Sequence, residues 1–240
     1  LIGLVGSEMC IRDSMLHSMR QFDDLTYVHS VNVALIASIL GQWLKFSEKD
    51  IRILTISGLL HDIGKIMIPN EILTKPGKLT VAEYNIMKQH VNFGYEKVKN
   101  QNIDIRIKEA CLLHHEKCDG TGYPFGLKSD HIPAVAKIIA IADVYDAMTS
   151  ARVYRGALCP FEVIDTMYKD AFTKFEPEYI LPFLKNVASS YINNDVRLSD
   201  GRIGKVVLIN ENALSLPIVQ CEDEFIDLSK TRGLTVSAIL

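Results

Sequence analysis

The sequence predicts an all-α helical bundle followed by a small β-rich appendage at the C-terminal end. Three observations point there. Apolar residues recur at helical spacing from about Met15 to Asn194. Two capping boxes mark helix starts inside that stretch. After Val196 the pattern changes to short apolar runs separated by turn residues. A chain of 240 residues fits one large domain with such an appendage.

Taken in order, Val28, Val31, Leu35, Ile39 and Leu40 recur at helical spacing and predict a helix through His29 to about Leu44. Ser47-Glu48-Lys49-Asp50 is a capping box that opens the next helix. That helix carries Ile51, Leu54, Leu59 and Leu60 and ends at His61 and Asp62. Gly64 is expected to loosen the chain there, and Pro69 to complete the exit. Lys75-Pro76-Gly77-Lys78 reads as a turn. Thr80 to Glu83 is a second capping box, followed by a helix to about His90, with Gly94 as a break or a close-packing point.

Ile103 to Glu116 predicts a helix ending in His114 and His115. Lys117 to Pro133, rich in Gly, Asp and Pro, is a loop. Pro133 starts an apolar helix that runs to Met148. Two further helices are predicted over about Phe161–Ala171 and Pro177–Tyr191. Ser199-Asp200-Gly201 is a turn, and Lys205–Ile209, Leu216–Val219 and Phe225–Asp227 read as short strands. The domain boundaries expected are 15–195 for the helical domain and 196–240 for the appendage.

The net charge of −3 excludes a broadly basic surface, so duplex nucleic acid is not an expected partner. A phosphate-bearing ligand remains open, because bound divalent ions would dominate the local charge. The five cysteines are odd in number and form no CxxC, which reads as reduced thiols in a cytoplasmic protein. No uncharged apolar run reaches the roughly 18 residues of a membrane span. Residues 4–14, LVGSEMCIRDS, look like a sequencing adapter translated in frame. Segment 1–14 is therefore read as non-native and left out of fold reasoning.

Five of the seven histidines form one spaced series with two aspartates: His29, His61-Asp62, His90, His114-His115 and Asp143. A single His on an apolar helix is usually a satisfied core residue. Five of them on or at the ends of predicted helices, which a bundle can gather around one cavity, point instead to a metal centre. Imidazoles and carboxylates suit Fe, Mn or Zn. Asp143 is flanked by Ile138, Ile139, Ile141, Ala142 and Val144, where an unpaired carboxylate would be costly. Lys65 is either a phosphate contact or a solvated helix-end lysine. Tyr123, in Asp119-Gly120-Thr121-Gly122-Tyr123-Pro124, lies in a loop that is either a turn or a substrate contact. Asp146 lies one turn beyond Asp143. Arg152 and Arg155 share a face suited to phosphate or guanine, or form surface ion pairs. His17, His131, Cys111 and Cys118 are read as non-ligands.

The series His29, His61-Asp62-Ile63-Gly64-Lys65, His90, HHEKCDGTGYP over 114–124, and Asp143 followed by VYDAMTSARVYR resembles the HD-GYP family, a branch of the HD-domain metal phosphohydrolases. The resemblance covers about Gln21 to Asn194. It implies an HD-domain helical bundle and hydrolysis of the bacterial second messenger cyclic di-GMP to pGpG and onward to GMP. It also implies a centre of two or three divalent ions, typically iron or manganese. One site resembles His29, His61, Asp62 and Asp143. The other resembles Asp62, His90, His114 and His115, with Asp62 bridging. Some members add a third ion through a glutamate one turn before the first histidine. Leu25 stands there, so two ions are expected.

Lys65, Tyr123, Asp146, Arg152 and Arg155 match substrate-contacting positions, and Asp62, Lys65 and Asp143 are the expected catalytic residues. The expected chemistry is in-line attack on phosphorus by a hydroxide bridging the metals. For the acid that protonates the leaving oxygen, the sequence offers Lys65 and metal-bound water without choosing. The rival readings are a phosphohydrolase for another cyclic dinucleotide and a non-catalytic cyclic di-GMP sensor. The resemblance also leaves room for an upstream sensory or receiver domain and for a homodimer.

Overall fold

The computed structural model describes residues 24–150 and 158–240; segment 1–14, His17, Arg152 and Arg155 lie outside them. The chain divides into two compact units, 1–147 and 148–240. In the first unit, α1 (Asp24–Trp43) packs against α2 (Glu48–Leu60). A 3-10 turn (Ile63–Met67), α3 (Asn70–Leu73), α4 (Val81–Met87), α5 (His90–Val98), α6 (Ile105–Leu113) and α7 (Ala134–Thr149) follow. Within it α6 packs on α2 and α5, and the 3-10 turn packs on α5.

Both predicted helix starts are built by their side chains. Ser47 Oγ accepts from Asp50 N–H at 3.2 Å and donates to Asp50 Oδ2 at 2.6 Å. Thr80 and Glu83 form the reciprocal box, with Glu83 N–H donating to Thr80 Oγ1 and Thr80 N–H to Glu83 Oε2. Each such cap contributes about 1 kcal/mol. The helix after Thr80 ends at Met87, and a new helix starts at His90; Gly94 lies inside that helix as a close-packing point, not a break.

The buried face of α1 differs from the spacing-based expectation. Val28, Leu35 and Ile39 are 53%, 57% and 43% exposed, while Ser30, Val33, Ala34, Ala37 and Leu40 are buried. The helix is apolar on most sides, so spacing alone did not choose the face. Backbone proximity did: a Cβ on Gly58 would lie 2.5 Å from Ala34 Cα. The small residues of α1 meet the glycine of α2, and the larger apolar residues are left outside. Leu54, Leu60 and Ile63 anchor the α2 side of this core, each worth about 1.5–3 kcal/mol when fully buried.

In the second unit, α8 (Pro160–Asp170) packs on α9 (Pro177–Ser190) and on strand β5 (Val236–Ile239). The sheet is antiparallel with order β4-β3-β2-β1-β5, where β1 is Asp195–Leu198, β2 Ile203–Leu208, β3 Ile218–Cys221 and β4 Glu224–Asp227. Val206 faces Val219, and Val219 faces Ile226, giving one buried row across the sheet. β2, β3 and β4 match the predicted runs to within two residues. β1 and β5 were not predicted: each has four residues, and they pair across a separation of about 40 positions, which no local pattern encodes. Among the described residues, no helix is long and apolar enough to cross a membrane.

Candidate metal centre

The first unit gathers the whole histidine series. His61 is the C-cap of α2, its N–H donating to Ser57 O, and Asp62 follows directly. Gly64 then does the opposite of loosening the chain. A Cβ at Gly64 would stand 1.9 Å from His90 O and 2.4 Å from Gly94 N. The missing side chain lets the start of α5 touch the turn after Asp62, which brings His90 to the carboxylate. His114 is the C-cap of α6, with His115 next, and Asp143 projects from α7.

Backbone carbonyls aim the rings. His61 Nδ1 lies 2.7 Å from Gly58 O, His90 Nδ1 2.8 Å from Met87 O and His114 Nδ1 2.9 Å from Ala110 O. A carbonyl only accepts, so each Nδ1 carries the proton and each Nε2 presents its lone pair to the centre. His29 is oriented by a carboxylate instead. Its Nδ1 is 2.6 Å from Asp146 Oδ2, and Asn32 donates to Asp146 Oδ1 at 2.9 Å.

Two donor clusters result, one of Asp62, His90, His114 and His115 and one of His29, His61 and Asp143. Asp62 addresses both. Its Oδ1 lies 3.3 Å from His90 Nε2 and 3.8 Å from His114 Nε2. Its Oδ2 lies 3.2 Å from His61 Nε2 and 3.6 Å from His29 Nε2. His61 Nε2 and Asp62 Oδ1 are buried with no hydrogen-bond partner, a cost of about 1–3 kcal/mol per polar group that a cation would remove. All-nitrogen and oxygen donors, buried and converging, are the ligand set of a divalent-metal site.

The electrostatics fit the same use. Burial lowers His114 well below its usual range and His115 to about 3, and it also lowers His90, so these rings are neutral donors. Burial opposes the charge on Asp62, but the Lys65 ammonium and the surrounding imidazoles outweigh it and hold the carboxyl well below the usual range. Asp143 is likewise held low, through its hydrogen bond with His29. Burial alone would lower His29, yet its bonds to Asp143 and Asp146 raise it to about 9.

Lys65 donates to Asp62 Oδ2 at 2.5 Å with 22% of its side chain exposed. Tyr123 lies over His115, ring centroids 4.7 Å apart, and meets His90 edge-on. Asp146 is buried behind His29. Cys111 donates to Leu60 O from the core, His131 pairs with Asp130 on the surface, and neither belongs to a cluster; nor does Cys118.

The sequence reading missed Glu116. This buried carboxylate accepts the backbone N–H groups of Phe125, Gly126 and Leu127 at 2.7, 3.2 and 2.9 Å. It staples the loop that carries Tyr123. Gly122 allows the loop to close, since a Cβ there would meet Glu116 Cα and His115 O at 2.5 Å. The available signal was a glutamate directly after the His pair and ahead of a glycine-rich loop.

The family model described as HD domain matches residues 8–179. Cyclic di-GMP phosphodiesterase PA4108 of Pseudomonas aeruginosa is 36% identical over 203 residues, covering 84% of this chain and 49% of the relative. Cyclic di-GMP phosphodiesterase response regulator RpfG of Xanthomonas campestris is 41% identical over 155 residues, covering 64% of this chain and 41% of its own length. The chain thus spans about half the length of the curated relatives it matches. In fold it is like Bd1817, an HDG"Y"P protein from Bdellovibrio bacteriovorus, with a TM-score of 0.55 at 23% identity over 65% of this chain and 50% of that one. Every donor of both clusters falls inside the matched stretch, and the chain belongs to the HD domain family, in its HD-GYP branch.

Proposed function

We propose that this chain is a metal-dependent phosphodiesterase that hydrolyses cyclic di-GMP to pGpG or GMP. The observation that carries the reading is Asp62, buried between two donor clusters with one oxygen toward each. His29, His61, Asp62 and Asp143 would hold one ion, and Asp62, His90, His114 and His115 the other. Two ions, iron or manganese, fit the nitrogen-rich donor set and the leucine at position 25. When bound, such a pair supplies a water nucleophile at neutral pH and neutralises charge at phosphorus.

The chain's own residues do the rest. The carbonyl-fixed rings of His61, His90 and His114 are pre-aimed, so little reorganisation accompanies loading. Lys65, whose ammonium donates to Asp62 Oδ2, would serve a substrate phosphate oxygen with a charge-assisted bond. Asp143, whose Oδ1 lies 3.0 Å from His29 Nε2, would orient a nucleophile beside the first cluster. Tyr123 is a neutral donor, because burial raises its phenol. Arg152 and Arg155 remain proposed substrate contacts on sequence grounds.

The HD-GYP domain is assigned to 15–195 and the appendage to 196–240, in a cytoplasmic protein. An upstream sensory or receiver domain is compatible with the relatives' greater length, and a homodimer is part of the same proposal. Turnover of cyclic di-GMP and of a mixed cyclic dinucleotide by wild type and Asp62→Ala, with metal content measured on both, tests the proposal. Expected are hydrolysis of cyclic di-GMP by wild type, and loss of both turnover and metal in the variant. Calorimetric binding without turnover by the metal-loaded wild type would refute it in favour of a sensor.

A further inference from the structure

The rim of the metal centre carries a cation that neither the donor set nor the motif series uses. Lys88 sits at the C-cap of α4, two residues before His90. Its Nζ lies 5.3 Å from the Tyr84 ring centroid and 6.0 Å from that of Tyr123. Tyr123 in turn lies over the donor His115. The order from centre to solvent is therefore His115, Tyr123, Lys88, Tyr84. Tyr84 is 48% exposed. Lys88 makes no ion pair among the described residues. Lys65, by contrast, is tied to Asp62.

A cyclic dinucleotide carries two phosphodiesters and two bases. With one phosphodiester at the metal pair, the second is an anion some distance outward that needs its own partner. We propose that Lys88 contacts the phosphate that is not being cleaved, and that the half-exposed ring of Tyr84 stacks on a nucleobase of the same substrate. The two rings hold the ammonium by cation–π attraction while it remains half-buried and able to donate. An aromatic face adds stacking that tolerates either purine. This inference rests on the cyclic dinucleotide reading and extends it to residues outside the metal centre.

The test is steady-state hydrolysis of cyclic di-GMP by the metal-loaded protein, comparing wild type with Lys88→Gln, Lys88→Arg, Tyr84→Ala and Tyr84→Phe. Loss of one charge-assisted phosphate contact should raise KM about tenfold in Lys88→Gln with kcat held within about twofold, and Lys88→Arg should recover most of it. Tyr84→Ala should raise KM about five- to tenfold, and Tyr84→Phe should not. Metal content and melting temperature should match wild type in all four. A wild type that turns over cyclic di-GMP while Lys88→Gln keeps its KM overturns the inference alone. So does a Lys88→Gln variant that loses metal, since its effect would then pass through His90. A wild type inert toward cyclic di-GMP overturns the functional reading, and the inference with it.

Discussion

Replacing Glu116 by Ala should release the loop that carries Tyr123 without touching a metal ligand. The carboxylate accepts three consecutive N–H groups, at 2.7, 3.2 and 2.9 Å. Hydrogen bonds to a charged group are worth about 1.5–3 kcal/mol each, but the longest here is weak, and the freed amides at the exposed loop tip regain water. A net loss of about 3 kcal/mol is expected, a large share of a native stability of about 5–15 kcal/mol. The Glu116→Gln variant keeps one accepting oxygen and turns its amide hydrogens toward donors, so it should lose about half as much.

Urea denaturation measures the global cost, and amide hydrogen exchange at residues 125–127 measures the local one. Local release by about 2 kcal/mol corresponds to about thirtyfold faster exchange there. The Tyr123 N–H bond to His115 O, at 3.2 Å, should weaken in step, so kcat/KM should fall while metal content holds. Unchanged exchange at 125–127, with a stability loss under about 0.5 kcal/mol, would show that the carboxylate does not hold the loop.

Asp146→Asn removes the carboxylate behind His29 and should weaken metal binding about ten- to a hundredfold, read by competitive metal titration. Gly64→Ala forces a methyl against His90 O and should cost about 3 kcal/mol or more by denaturation; a variant as stable as wild type would contradict the close approach. For pH, His29 in the metal-free protein is raised from 6.5 to about 9. Its contribution is therefore full below pH 6.5 and lost as pH rises through 9, amounting to about 3 kcal/mol at most, and a His29→Gln variant should lack that slope. Metal loading at pH 7.5 should release the His29 proton, visible as buffer-dependent heat in calorimetry; heat independent of buffer would refute it.

The sequence by itself determined the chemistry's inventory: the five histidines, Asp62 and Asp143 that make up both clusters, and the capped helices that carry them. Those features are local. A cap needs only four consecutive residues, and helical spacing is set by the backbone's own period. Tertiary structure alone decided which face of α1 is buried, because Ala34 had to meet Gly58. It also decided that Gly64 packs against His90, that Asp146 serves His29, and that Glu116 staples a loop ten residues away. β5 became a strand only by pairing with β1, which on its other side pairs with β2. Each of these depends on which backbone or side-chain groups arrive from elsewhere in the chain, and that arrival is set by the packing of the core, which no short window of sequence contains.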